Sequence, residues 1–142
     1  MIPRRIPYFA PKTIWKLVGF KRHQNSNEVE KLEKDLNKYL QLPNPVVVGQ
    51  GRIGLTLILK SLTIAPGSEI IMPGYTFGTL TEVIKKAGFT PRPVDIDLLS
   101  FQMSPEKAQK AINNKTRAIL ATHLFGEPCD IMSFQKIAKK PR

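Results

Sequence analysis

Apolar residues recur every three to four positions from Val29 through Leu32 and Leu36 to Leu40, with charged neighbours between them. That spacing predicts an amphipathic helix over Glu28–Leu40. Asn27 is placed to cap it, Glu28 and Glu30 suit the positive end of its dipole, and the Pro-Asn-Pro run at 43–45 ends it. The pattern then changes. Val46–Val48 reads as a short buried strand and 53–64 as a helix apolar on most faces. Pro66-Gly67 marks a turn and 69–73 a second strand. Phe77, Leu80, Ile84 and Ala87 return to helical spacing, with Thr79 and Glu82 matching a capping box and Gly88 closing the helix. Residues 91–97 read as a third strand. Ser104-Pro105-Glu106 opens a helix as cap, first-turn proline and first-turn acid. Residues 117–125 read as a fourth strand, and Asp130 is placed to cap the last helix.

Strands that alternate with single helices predict right-handed crossovers and a mainly parallel sheet, an α/β chain in an α-β-α arrangement. Ligands in such folds bind at the carboxyl ends of the strands. That edge gathers Gly49–Arg52, Pro73–Phe77, Asp95–Asp97 and His123–Gly126.

A length of 142 residues suits one core. Residues 1–26, rich in proline and basic side chains, read as an N-terminal arm ahead of the domain at 27–142. Ile14, Trp15, Leu17 and Val18 among the lysines there fit packing on protein better than lying on a membrane surface. The net charge of +11 raises nucleic acid as a partner. Most of it sits at the two ends of the chain, however: 41–100 carries five basic and four acidic residues. With no aromatic-rich basic motif either, neither nucleic acid nor membrane is expected as a partner. One cysteine, Cys129, fits a reducing compartment, and the chain is expected in the cytoplasm.

The chemistry concentrates in Gly49-Gln50-Gly51-Arg52. The first amides of a helix attract anions, glycines admit a close approach, and Arg52 adds fixed charge. Glycines also serve tight turns, and that explanation stays open here. Gly49, Gly51 and Gly54 match the dinucleotide fingerprint weakly, because the acid expected some 20 residues on would be Glu69, at the start of a strand. No Walker lysine follows. Phe77 belongs to the core by its spacing, yet beside an anion site it would stack on a planar ring. Asp95 and Asp97 read as turn carboxylates. His123 stands far from His23, so no metal site is expected.

These pieces in this order, from about Pro3 to Ala138, resemble the DegT/DnrJ/StrS family of sugar aminotransferases. The resemblance rests on GQGRIGLTLILKSLTIAPGSEIIMPGYTF, then PRPVDID, an SPE helix and KTRAILATHLFGEPCDI. It implies the N-terminal portion of the large domain of a fold type I pyridoxal phosphate (PLP) transferase, so that 27–142 would be an incomplete domain. The implied reaction is transfer of an amino group, usually from glutamate, to a keto-sugar nucleotide in amino-sugar or polysaccharide biosynthesis, by a homodimer. Gly51, Arg52 and Ile53 would hold the PLP phosphate and Phe77 would stack on the pyridine, with Tyr75 and His123 as candidate substrate-pocket residues. Many members carry Ser-Gly-Thr where this chain has Gln50-Gly51-Arg52, so a hydroxyl contact is lost and a charge gained. The acid that pairs with the pyridine nitrogen and the Schiff-base lysine belong to later family motifs, and no lysine here matches that context. No catalytic residue is therefore assigned, and the 142 residues are expected to be inactive alone. A non-catalytic anion- or cofactor-binding fragment, or one subunit of a split enzyme, is the alternative.

Overall fold

The computed structural model describes residues 26–139, and the arm expected over 1–26 lies outside them except for Ser26, which begins the first helix. The chain divides into two compact units, Met1–Val47 and Val48–Arg142. In the first, helix α1 (Ser26–Leu40) begins one residue before Asn27, the expected cap. It ends because Gln41 takes a left-handed φ of 53°, ahead of the prolines expected to stop it. Glu33 accepts a hydrogen bond from the Val47 amide at 2.9 Å and ties the returning chain to the helix. Val46–Val48, expected as a strand, pairs with nothing among the described residues and is irregular. A parallel strand exists only through its neighbours, whatever its own residues prefer.

The second unit runs α2 (Gly51–Ser61), β1 (Glu69–Pro73), α3 (Thr79–Lys86), β2 (Thr90–Val94), α4 (Pro105–Ala111), β3 (Thr116–Ile119) and α5 (Ile131–Ala138). The sheet is parallel, in the order β2-β1-β3. β1 is central and buried on both faces. Ile70 and Met72 join Leu59 of α2 and Leu80, Val83 and Ile84 of α3. Ile71 turns the other way, to Ala108 of α4 and Phe134 and Ile137 of α5. Alternate residues of one strand thus found both cores, as the period of two requires. Burying Ile70 or Ile71 stabilises the fold by about 1.5–3 kcal/mol each.

Backbone hydrogen bonds explain why two strands are shorter than the sequence suggests. The amide of Glu69 donates to Lys115 and that of Leu120 to Ile71, so odd-numbered residues of β1 face β3. Pro73 falls where the next donor toward β3 would be and has no N–H, and β3 ends at Ile119 rather than at 125. In β2 the Thr90 amide donates to Ser68, which turns Pro91 and Pro93 to the edge that no strand covers among the described residues, where their missing donors cost nothing. β2 ends at Val94 instead of 97, because Asp95 leads into an irregular segment in which Ile96 bridges Met103. Glu69 binds Arg92 at 3.2 Å and Asn113 at 2.9 Å, a role in aligning strand starts rather than in holding a ribose.

Among the expected caps, Ser104 accepts from the Lys107 amide and Asp130 from that of Ser133. The capping box at Thr79 does not form. Gly78 is the N-cap of α3, and the Leu80 amide donates to Phe77, so Thr79 is already inside the helix. Gly67 and Gly88 take the left-handed φ their turns need, 77° and 93°. Among the described residues no helix is long and apolar enough to cross a membrane.

Candidate functional site

The site is built at the N-terminus of α2. Gln50 is the N-cap in an extended conformation (φ −154°, ψ 145°), and its carbonyl accepts the amides of both Ile53 at 3.0 Å and Gly54 at 3.2 Å. The Ile53 amide therefore already has an acceptor inside the protein. The amides of Gly51 and Arg52 have no acceptor among the described residues. The first turn holds no acid. Helix amides left free in this way carry partial positive charge.

Neither Gly49 nor Gly51 adopts the left-handed φ that favours glycine, and a Cβ on either would meet nothing within 4 Å. The tight-turn explanation for these glycines thus loses its basis. What glycine provides at 51 is unfilled space above two free N–H groups.

The cleft beside these amides has a volume of about 490 Å³, within the range of small-molecule sites. Its lining includes Gly51 and Arg52 from α2, Thr76 and Phe77 from the β1–α3 segment, Thr79 at the start of α3, and Thr122 beyond β3. Leu55, Leu80 and Val83 supply apolar lining. Phe77, placed in the core by its spacing, is instead 74% exposed. It precedes the first turn of α3, where the helical period no longer governs which way a side chain points. Its ring is open to a planar ligand. A groove of about 560 Å³ beside α1 is larger, but Glu30, Glu33, Lys34, Asn37 and Lys38 along it are the solvated face of that helix.

Ile53 lines a smaller neighbouring cleft of about 230 Å³ with Arg52, Glu82 and Lys86. Tyr75 is not part of the 490 Å³ cleft. Its ring lies 5.9 Å from Phe101 and 6.4 Å from Phe125, which are themselves 5.9 Å apart. This cluster draws one ring from each of three segments at the carboxyl ends of the strands. Gln102 braces it by donating to the carbonyls of Leu124 and Glu127. His123 does not line the cleft either, although its neighbour Thr122 does. Its Nδ1 accepts the Cys129 amide at 3.0 Å, which leaves the ring proton on Nε2 and gives the side chain a loop-bracing task.

Asp97 accepts from the amides of Leu99 and Ser100 and from the Ser100 hydroxyl. Those bonds hold its carboxyl below the usual range, as a turn carboxylate requires. Asp95 lies 3.7 Å from Lys107 at the surface. Among the described residues no group of three or more potential ligands gathers for a metal ion.

Sequence reasoning missed Gln50, Thr76, Thr79 and Thr122 as cleft residues. Gln50 and Thr76 carried a signal, since Gly49–Arg52 and Pro73–Phe77 fall on the expected ligand-binding edge. Thr79 and Thr122 are commonplace until the fold brings three segments together.

A family model matches residues 13–142, and its description is the DegT/DnrJ/EryC1/StrS aminotransferase family. The chain belongs to that family. It is 35% identical over 113 residues to GDP-perosamine synthase of Escherichia coli O157:H7, a match covering 80% of this chain and 31% of that protein. It superposes on DesV of S. venezuelae, solved in complex with a ketimine intermediate, with a TM-score of 0.76 at 31% identity. That match covers 88% of this chain and 34% of DesV. NtdA of Bacillus subtilis, solved with bound cofactor PMP, matches with a TM-score of 0.68 at 32% identity, over 78% of this chain and 25% of that one. The chain thus spans about a third of the length of the curated relatives it matches. Its α/β fold is that of the PLP-dependent, fold type I sugar aminotransferases, at the N-terminal portion of their length.

Proposed function

We propose that these residues form the cofactor-phosphate side of a PLP-dependent aminotransferase acting on a keto-sugar nucleotide, within the 27–142 domain. The observation that carries this reading is the cleft lined by two unpartnered amides, an arginine and an exposed aromatic ring. The amides of Gly51 and Arg52 and the Arg52 guanidinium would hold the phosphate. Phe77 would lie against the pyridine and shield that face from water. When bound, PLP supplies the electron sink for charge developing on the substrate carbon. No lysine lines the cleft among the described residues, so these residues bind and orient but move no proton. Glutamate as amino donor, a homodimer and a cytoplasmic location belong to the same proposal.

Amide NMR with pyridoxal phosphate and with pyridoxal tests this. The Gly51 and Arg52 signals should move with the phosphorylated compound and stay with the other. Shifts confined to surface lysines would refute it. Borohydride trapping that labels one unique lysine, together with turnover on glutamate by these 142 residues, would refute the purely binding role.

A further inference from the structure

Arg52 sits where a helix least tolerates a cation. It is the second residue of α2, beside free amides whose partial charge is positive, and the first turn has no acid to offset it. It forms no ion pair among the described residues. Its Nε donates to Gln50 Oε1 at 2.6 Å, which leaves both terminal guanidinium nitrogens without an acceptor among those residues. The N-cap side chain, which at this position usually accepts a helix amide, is diverted to the arginine instead. The amides and the guanidinium fork are thus all left unsatisfied beside one cleft.

We propose that Gln50 is a positioning residue that holds the Arg52 guanidinium at the cofactor phosphate, a charge where the family resemblance implies a hydroxyl. This rests on the cofactor reading above. The physical logic is a charge placed against the protein's own dipole, which a bound dianion would reverse. A guanidinium suits phosphate because its planar donors engage two oxygens at once. With Nε held by Gln50, the free nitrogens have less rotational freedom to lose on binding.

The test measures two quantities on the 142-residue chain: thermal stability without ligand, and affinity for pyridoxal phosphate read from the Gly51 amide signal. Arg52→Thr should leave ligand-free stability equal or higher and weaken binding roughly tenfold or more, the range for losing hydrogen bonds to a charged group. Gln50→Ala should weaken binding several-fold with little change in stability, and Arg52→Lys should restore it only in part. An Arg52 that merely stabilised the helix would lose stability on replacement and leave binding unchanged. If wild type binds through the Gly51 amide and Gln50→Ala binds as tightly, this inference falls and the cofactor reading stands. If wild type binds with no response at Gly51, both fall.

Discussion

Two glycines on the same edge of the sheet should respond oppositely to the same added methyl group. At Gly51 a Cβ would meet nothing within 4 Å, and the backbone is not left-handed. Gly51→Ala should therefore be neutral or raise stability by up to about 0.5 kcal/mol, a fraction of the helix-interior difference between the residues because this is the first turn. At Gly74 the methyl would lie 3.3 Å from the Val94 carbonyl oxygen and 3.9 Å from the Pro93 Cβ. The neighbour is backbone of β2, held by the 2.7 Å bond from the Gly74 amide to that oxygen, so it yields only by spreading the sheet. Overpacking of this kind costs about 1–2 kcal/mol. For a folding unit of this size that lowers Tm by roughly 4–15 °C. Thermal unfolding by circular dichroism compares the two variants, and a phosphate titration followed at the Arg52 amide compares their binding. Gly51→Ala should lose affinity while keeping Tm, and Gly74→Ala should show the reverse. A Gly51→Ala protein that melts well below wild type, or one that binds phosphate unchanged, would refute the assignment of that glycine to ligand space.

Ile84 is fully buried between α3 and the sheet, and Ile84→Ala should destabilise by about 2–5 kcal/mol in denaturant melts. Asp130 accepts from the Ser133 amide and hydroxyl, which hold its carboxyl below the usual range. Because the folded value is the lower one, its contribution is present above the unfolded value near ~4 and lost as pH falls through the folded value. The stability gap between wild type and Asp130→Ala should accordingly be constant from pH 7 to 5 and narrow below pH ~4; a gap that widens on acidification would contradict the cap. Cys129 is buried, and burial pushes its thiol above the usual range. His123→Ala removes the bond that holds the Cys129 amide, so thiol labelling should become faster; an unchanged rate would deny His123 its bracing role.

Local physics made most elements legible from sequence. Strand β1 coincides with the expected 69–73, and the caps at Ser104 and Asp130 and the turns at Gly67 and Gly88 form as their residues imply. Such features depend on a few consecutive residues, and so does the order of motifs that carried the family resemblance. What the sequence could not reveal depends on partners distant in the chain. Among the described residues Val46–Val48 has strand-forming side chains but no ladder, β3 stops where Pro73 withholds a donor, and Pro91 and Pro93 are harmless because no strand lies on their side of β2. The site follows the same rule. Glycine and arginine at a strand-to-helix junction suggested an anion, but which amides stay free was decided by Gln50 capturing those of Ile53 and Gly54. Spacing assigned Phe77 to the core, and its place before the first turn of α3 turned it to the cleft. Periodicity tells which face of an element is apolar, whereas hydrogen-bond satisfaction and exposure are set by what the rest of the chain brings against it.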